Sequence, residues 1–376
     1  MIFLPLFLGL ALLQWGFMGT IPLEVNEILR LADRESLTET GLIDHLSGHR
    51  IVLIGEAHDN PAHHAVQLKV IQALHARQPD MALALEMFPR TMQPHLDRWV
   101  AGELEEAAFL DAVEWYFTWG FEAELYLPIL RFARDQRIPV LAMNLPRATV
   151  SQVRKQGMSE LATEIRDTLP PICPATLDYR MMLEEIFNGH PMISKSGKFD
   201  HFVESQTLWD GVMADTIRRW SNEHPKSVVV GLAGAGHLLM GYGIPHQLRS
   251  RGMEDLVTLL PWTSGDSWID PLAADYAWGT SETPETPPPA SLGVILDDQR
   301  PDGAWIKGTQ EGSRAAKAEL KAGDRIVRLN DQQVSSRHAL VRLVHGVPHG
   351  ATVRLRLERA GEAQEIELPA AQHGHH

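Results

Sequence analysis

Five short, continuous apolar runs are the clearest pattern along the first 260 residues of the chain. Alternation of apolar and polar residues would indicate strands with one face in water, whereas continuous runs are typical of strands buried on both faces. The runs are Arg50–Ile54, Met81–Leu85, Ile138–Met143, Ser227–Leu232 and Leu256–Leu260. They predict an α/β domain in which helices cover both faces of a mainly parallel sheet.

Helical spacing of apolar residues follows the first run and fills the middle of the chain. Residues 66–74 show it directly after that run, with His63 and His64 early on the same helix as outer members of any nearby site. Residues 148–222 contain no strand-like run and predict a helical insertion. The aromatic stretch Trp115–Phe121 is expected to pack between that insertion and the sheet, the alternative being the wall of a porphyrin or peptide pocket.

Composition divides the chain into four stretches. Residues 1–20 are almost wholly apolar and are typical of a signal peptide or an N-terminal membrane anchor, which predicts a periplasmic or membrane-anchored protein of the cell envelope. Residues 281–290 are rich in proline and indicate an extended linker. We therefore expect the α/β domain over residues 21–280 and a small β-rich domain over residues 291–370.

Charge and cysteine content exclude several classes of protein. The formal net charge is −14, and a phosphate backbone requires a basic partner, so nucleic acid is not the expected ligand. Cys173 is the single cysteine, which excludes an intrachain disulfide and a cysteine-based zinc cluster.

Three predicted strands end in residues capable of chemistry. Glu56 and His58 follow the first run, Glu86 the second and His237 the fourth. Ligands bind at the carboxyl ends of parallel strands, so these side chains are expected to meet there. His58, Glu86 and His237 form a usual ligand set for Zn, Mn, Fe or Co, with Glu56 or Glu86 as catalytic base. Taken singly, each residue would more simply cap a turn.

A series of short motifs in the first domain supports a specific resemblance. They are Gly55–His58, Glu86–Phe88, Tyr126–Leu130, Ala142–Arg147, Gln206–Asp210, Gly234–His237 and Gly241–Pro245. Together they resemble the Tiki/TraB superfamily, and most closely its ChaN-like haem-uptake branch, over roughly residues 25–262.

The resemblance implies two different functions. ChaN-like relatives bind haem or iron in the envelope and hold haem by a tyrosine at the interface of a homodimer. The resemblance therefore implies Tyr179 and Tyr242 as candidate cofactor-binding residues of this chain. Tiki-like relatives are metal-dependent proteases, which carries metal binding over to His58, Glu86 and His237. We expect a haem- or iron-binding protein that takes part in haem or iron uptake. The alternative is a metal-dependent hydrolase, so enzymatic activity stays open.

Residues 291–368 resemble a PDZ domain of the kind that accompanies bacterial proteases, and Gly312–Val327 is the most specific stretch. The resemblance assigns Leu292, Gly293 and Val294 to the loop and strand that bind a peptide. It implies that the C-terminus of a peptide or protein partner pairs with an exposed sheet edge, while backbone N–H groups hold its carboxylate.

Overall fold

The computed structural model describes residues 21–195, 197–264, 269–282, 291–300, 302–348 and 350–369. The predicted N-terminal segment (1–20) and most of the predicted linker lie outside these residues. Among the described residues, no helix is long and apolar enough to cross a membrane. Packing divides the chain into two units. Of the described residues, the first unit comprises those up to Leu104 and those in 123–282, and the second comprises Glu105–Glu122 and those from 291 onward.

The first unit is built on an eight-stranded sheet. Its strands are β1 (Ile28–Arg30), β2 (Glu35–Ser36), β3 (Ile51–Glu56), β4 (Met81–Pro89), β5 (Val140–Asn144), β6 (Val228–Gly234), β7 (Leu256–Thr263) and β8 (Tyr276–Thr280). Their order is β2-β1-β8-β7-β3-β6-β4-β5, and all pairs from β8 to β5 are parallel. The predicted α/β class and its mainly parallel sheet are confirmed, and each of the five apolar runs forms a strand.

Helices flank this sheet and form the predicted insertion between β5 and β6. In chain order they are α1 (Glu39–Leu46), α2 (Pro61–Arg77), α3 (Gln93–Val100), α4 (Glu106–Ala112), α5 (Trp115–Thr118), α6 (Ala123–Asp135), α7 (Arg147–Gln156), α8 (Thr163–Arg166), α9 (Leu177–Gly189), α10 (Pro191–Ser194), α11 (Phe199–Glu223) and α12 (Ile244–Arg249). Of these, α4 and α5 belong to the second unit.

The start of α2 shows how local sequence fixes the geometry beside β3. Asn60 caps the helix, and its Oδ1 accepts hydrogen bonds from the backbone N–H groups of Ala62 and His63 at 2.9 and 3.4 Å. Pro61 occupies the first helical position, where its missing N–H costs nothing. The cap places His63 and His64 on the buried side of the first turn, close to the end of β3.

The second unit contains a separate antiparallel sheet, which confirms the small β-rich domain. Its strands are β9 (Val294–Leu296), β10 (Ala304–Thr309), β11 (Arg325–Leu329), β12 (Gln332–Gln333), β13 (Val353–Arg359) and β14 (Glu362–Leu368), and its helices are α13 (Arg314–Lys317) and α14 (Arg337–His345). The order is β14-β13-β11-β10-β9, with β12 paired to β11. Among the described residues β9 therefore has one paired edge and one open edge.

The aromatic stretch Trp115–Phe121 lies elsewhere than the sequence suggested. We expected it between the helical insertion and the sheet, but its segment, Glu105–Glu122, belongs to the second unit. There α4 and α5 pack against α14. Trp115 is buried, and its Nε1 donates a hydrogen bond to the Phe121 carbonyl at 2.7 Å, which closes the segment on itself.

Candidate functional site

Glu56 is the centre of a buried hydrogen-bond network at the end of β3. Its Oε1 accepts from the Tyr126 hydroxyl at 2.6 Å and lies 2.7 Å from Nδ1 of His58. Its Oε2 accepts from Nε2 of Gln67 at 2.8 Å and lies 3.6 Å from Nδ1 of His64. Both carboxylate oxygens are thus engaged, so Glu56 fixes the ring of His58 with Nδ1 turned inward.

The charges of this network keep Glu56 ionised. Burial opposes ionisation, but the charge of His64 and the hydrogen bonds from His58 and Tyr126 outweigh it and lower the pKa of Glu56 to about 2. For His58, burial opposes the charged form, while the hydrogen bond to Glu56 and the charge of Glu86 raise its pKa. About a fifth of the His58 side chain is exposed, so its ring lies at the mouth of the site.

A second network of the same kind ends at His237, which lies in the turn after β6. Its Nδ1 lies 2.6 Å from Oδ1 of Asp210, and the other oxygen of Asp210 accepts from the Tyr179 hydroxyl at 2.7 Å. The ring of Trp209 meets the imidazole edge-on with centroids 5.0 Å apart. Asp210 and Tyr179 are buried, so water does not compete for these hydrogen bonds.

Glu86 lies between the two histidine networks. Its Oε2 accepts from the backbone N–H of Gly234 at 2.7 Å, and its Oε1 lies 3.5 Å from Nε2 of His237. Burial opposes ionisation of Glu86, but the charge and hydrogen bond of His237 lower its pKa. In turn, burial opposes charge on His237, while the charges of Glu86 and Asp210 raise its pKa to about 10. Glu86 and His237 therefore form a buried ion pair at neutral pH.

Gly234 allows His58 to approach Glu86. A Cβ atom at this position would lie 2.9 Å from Cε1 and 3.0 Å from Nε2 of His58, and 3.7 Å from the Glu86 carboxylate. A larger residue would displace the imidazole, so the glycine keeps Nε2 of His58 beside Glu86.

The two networks share one design. In each, a tyrosine hydroxyl donates to a carboxylate, and the carboxylate holds Nδ1 of a histidine, which turns Nε2 toward Glu86. The two sets are Tyr126–Glu56–His58 and Tyr179–Asp210–His237. Carboxylates in this position orient imidazoles that bind a metal or take part in proton transfer.

The structure brings together His58, Glu86 and His237 as the sequence predicted, with Glu56 beside His58. Their assignment as metal ligands and catalytic groups stays a prediction. Among the residues that the structure describes, no group of three or more His, Cys, Asp or Glu side chains is arranged to hold a metal ion. Since both oxygens of Glu56 are hydrogen bonded, its geometry suits an orienting residue better than a general base.

The two histidines at the start of α2 take different places. His64 joins the Glu56 network, and its Nε2 donates to the backbone carbonyl of His58 at 3.1 Å. Nδ1 of His63 instead accepts from the backbone N–H of Ala57 at 2.9 Å. Burial, then the charge of His64, lowers the pKa of His63 to about 4, so His63 is a neutral structural residue.

The two tyrosines predicted to bind haem have different surroundings. Tyr179 is buried, and its hydroxyl is committed to Asp210, so a ligand role would break that bond. Tyr242 is half-buried in the turn before α12, with its ring centroid 6.0 Å from that of Tyr179. Burial, then the charges of Asp178 and Asp270, raises the pKa of Tyr242 and keeps its phenol protonated.

The predicted peptide-binding loop lies where β9 begins. Leu292 is part of the core of the second unit, and its carbonyl accepts from the N–H of Ala315 at 2.9 Å. Gly293 has φ of +76°, and a Cβ there would lie 2.1 Å from Cβ of Ser313. Conformation and space both require glycine at this position. Val294 then starts β9, whose outer edge has no partner strand among the residues that the structure describes.

Comparison with known proteins identifies both units. An α/β unit with paired histidine networks, joined to an antiparallel PDZ-like unit, defines the class. Residues 42–248 match the family described as haem-binding uptake, Tiki superfamily, ChaN, and residues 290–369 match the PDZ domain. The first match covers more than half of the chain. The chain therefore belongs to the ChaN family and carries a PDZ domain.

Individual relatives match each unit separately. A solved structure of ChaN from Campylobacter jejuni, described as showing cofacial haem binding, has a TM-score of 0.55 and 23% identity, and the match covers 68% of this chain and 98% of that one. The periplasmic serine endoprotease DegP of Salmonella typhimurium is 40% identical over 77 residues in the PDZ region. That match covers 20% of this chain and 16% of DegP, so the chain spans about a sixth of that curated relative.

Proposed function

We propose that this protein binds haem on the surface around Tyr242 and serves haem or iron uptake in the cell envelope. The observation that carries the proposal is a pair of exposed leucines that neighbour, in sequence, the two carboxylates whose charges act on this tyrosine. Leu177 and Leu272, with 73% and 77% of their surface exposed, are the two most exposed large hydrophobic side chains among the described residues. We take the two leucines and Tyr242 as parts of one exposed apolar surface, and a contiguous surface of this kind marks a binding site.

Both leucines lie close in sequence to carboxylates that act on Tyr242. Leu177 precedes Asp178, and the backbone N–H of Leu272 donates to Oδ1 of Asp270 at 2.8 Å. Asp178 and Asp270 are the two carboxylates whose charges act on the Tyr242 phenol. A porphyrin needs apolar side chains against its faces and an oxygen or nitrogen ligand for iron, and tyrosine is one such ligand. The donor set around Tyr242 therefore fits haem.

A cation is also available for the haem carboxylates. A Cβ built at Gly241 would lie 3.1 Å from Nη1 of Arg249, so this exposed guanidinium lies beside the turn that carries Tyr242. Arginine binds carboxylates in a bidentate manner, and a haem propionate is such a carboxylate. We assign Arg249 to that role.

Cofacial haem binding, as described for the Campylobacter jejuni relative, brings two haem groups face to face. Here it would join two copies of the chain through the surfaces around Tyr242. Gel filtration of the purified protein with ferric haem tests this. We expect haem to co-elute with protein of twice the monomer mass. Free elution of haem, with the protein unchanged in size, would refute the proposal.

The second part of the proposed function is peptide binding by the PDZ unit. Within the described part of the chain, no strand pairs with the outer edge of β9, and Ile295 is 43% exposed along it. A peptide C-terminus would extend the sheet there, with its carboxylate at the Gly293 loop. Binding of a labelled peptide with a free C-terminus, compared with its amidated twin, tests this assignment.

A metal-dependent hydrolase is the second candidate, favoured by one observation. Carboxylates hold Nδ1 of both His58 and His237, which leaves each Nε2 turned toward Glu86. A metal would require the Glu86–His237 contact to open. Elemental analysis of the purified protein tests the candidate. Bound transition metal that disappears in the His58→Ala and His237→Ala variants would support it, and metal-free wild-type protein after exposure to Zn²⁺ and Mn²⁺ would exclude it.

A further inference from the structure

Helix α14 of the PDZ unit has a polar face as well as a buried one. Leu340 and Leu343 lie in the core of the unit. On the opposite side, His338, Arg342 and His345 follow one another at spacings of four and three residues and therefore share one face. In a free PDZ unit this face would be solvated.

Here that face is covered by Glu105–Glu122, which we call the brace. Asp111 of the brace receives two hydrogen bonds from the Arg342 guanidinium, at 2.8 Å from Nε and 3.1 Å from Nη2. One turn later, Nδ1 of His345 lies 2.9 Å from Oε1 of Glu122. Arg342 and Asp111 are each only about a fifth exposed, so water screens their interaction incompletely.

Aromatic rings of the brace complete the cover. The Tyr116 ring stacks on His345, with centroids 3.8 Å apart and planes at 21°. Phe117 lies 5.0 Å from the ring of His338 and 5.2 Å below the guanidinium of Arg337. The brace thus contacts α14 from its first turn to its last.

The remaining side of α14 adjoins the proposed peptide groove. Val344 of α14 and Val294 and Leu296 of β9 are half-buried and pack against the same core. Val341 is half-buried one turn before Val344. In a PDZ domain the helix beside the groove faces the peptide-binding strand, so a peptide added to β9 would lie against the valine side of α14, next to the face that the brace covers.

We propose that the brace holds α14 in the position that the peptide groove requires, so that Asp111 and Arg342 are positioning residues for peptide binding. This inference rests on the proposed peptide binding. Fixing a binding element in its bound position raises affinity, because less conformational freedom is lost on association. In sequence the brace lies between two stretches of the first unit, so the peptide affinity of this PDZ unit depends on a part of the protein outside the PDZ sequence.

A charge swap in the full-length protein tests the proposal. The probe is a fluorescein-labelled ten-residue peptide with uncharged side chains, ending in valine with a free carboxylate, and its amidated twin is the control. Asp111→Arg and Arg342→Asp should each weaken binding about five-fold or more, and the double variant should recover most of the loss. Arg354→Asp, which breaks an exposed ion pair with Asp331 elsewhere in the unit, should leave affinity unchanged.

The outcomes separate the role of the brace from the proposed peptide binding. If the single variants bind like the wild type or more tightly, or if the double variant is no better than either single one, the brace has no positioning role. If the wild type does not distinguish the free carboxylate from the amide, the proposed peptide binding is itself wrong, and the inference falls with it. Hydrogen exchange of the backbone amides in α14 reports on the helix itself. We expect faster exchange in both single variants, and unchanged exchange would contradict the proposal that the brace holds α14 in position.

Discussion

Nδ1 of His237 donates to Oδ1 of Asp210 across 2.6 Å in a buried pair. This bond fixes the ring so that Nε2 lies 3.5 Å from Glu86 on the other side. One imidazole is therefore held between two carboxylates. The place of His237 relative to Glu86 depends on this arrangement, whereas Glu56 orients His58 on the other side of the site.

Replacing Asp210 tests the electrostatics of this pair. In Asp210→Asn, the pKa of His237 should fall from about 10 toward 6.5. A pKa raised by folding stabilises the protein below the unfolded pKa, and that stability is lost as pH rises through the folded value. The wild type should therefore lose stability from about pH 6.5 to about pH 10. NMR titration of the His237 ring and urea unfolding at several pH values measure both effects.

Asp200→Asn is the matched control for that experiment, because it changes an exposed carboxylate on the same helix. It should leave both the titration of His237 and the alkaline loss of stability unchanged. An unchanged His237 titration in Asp210→Asn would contradict the account of the pair.

The lowered pKa of Glu56 predicts a loss of folding stability at acidic pH. Its pKa is lowered from 4.5 to about 2, so its contribution is present above pH 4.5 and is lost as pH falls toward 2. Glu56→Gln should destabilise the protein at pH 7 by roughly 3–5 kcal/mol, because it leaves buried partners without their charge. In this variant the free energy of unfolding should also change less between pH 4.5 and pH 2 than it does in the wild type. Chemical unfolding between pH 2 and 7 checks this. An acid-induced loss of stability equal to that of the wild type would count against it.

Gly293→Ala should damage the PDZ unit more than Gly312→Ala. Both glycines have positive φ, of +76° and +74°, but only at Gly293 does a Cβ meet another atom, 2.1 Å away on Ser313. We expect a cost of about 1 kcal/mol for Gly312→Ala from backbone strain alone, and at least about 2 kcal/mol for Gly293→Ala. Thermal unfolding of the two variants measures the difference, and equal costs would show that the loop relaxes freely.

The raised pKa of Tyr242 predicts how haem affinity responds to pH. Burial, Asp178 and Asp270 all favour the neutral phenol, whereas a tyrosinate binds ferric iron. Affinity for ferric haem should therefore rise between pH 7 and 9. Asp178→Asn should increase affinity at pH 7 by about two- to five-fold, because it removes one opposing charge. Absorbance titrations measure this, with Glu184→Gln on the same helix as the control. Weaker binding by Asp178→Asn would contradict this role for the carboxylate.

Most of the sheet and the histidine–glutamate cluster could be predicted from the sequence. Buried parallel strands are continuous apolar runs, and the residues after them meet at one edge by topology alone. Strands β1, β2 and β8 were missed: β1 and β2 have only three and two residues, too few to show a pattern, and β8 ends in Gly279 and Thr280 and so is not a continuous apolar run. Asp210 and Tyr126 stood within the family motifs without a role, since a helix sequence does not reveal which side chain reaches a strand end.

The place of the brace could not be read from the sequence at all. Its aromatic residues are apolar enough to suit any core, and the helix that they cover, α14, lies more than 200 residues further along the chain. Sequence patterns report local periodicity and carry little information on such distant pairings. Trp115–Phe121 was accordingly placed in the first domain, beside its chain neighbours.

Titration of ferric haem into wild-type protein, Tyr242→Phe and Tyr276→Phe tests the central claim most directly. Tyr276 lies on β8, where its hydroxyl is 3.1 Å from Nδ1 of His45, and serves as the matched control. We predict a saturable Soret change in the wild type and in Tyr276→Phe, and affinity weakened about ten-fold or more, with an altered spectrum, in Tyr242→Phe. Equal affinity and identical spectra in all three proteins would contradict haem binding at Tyr242.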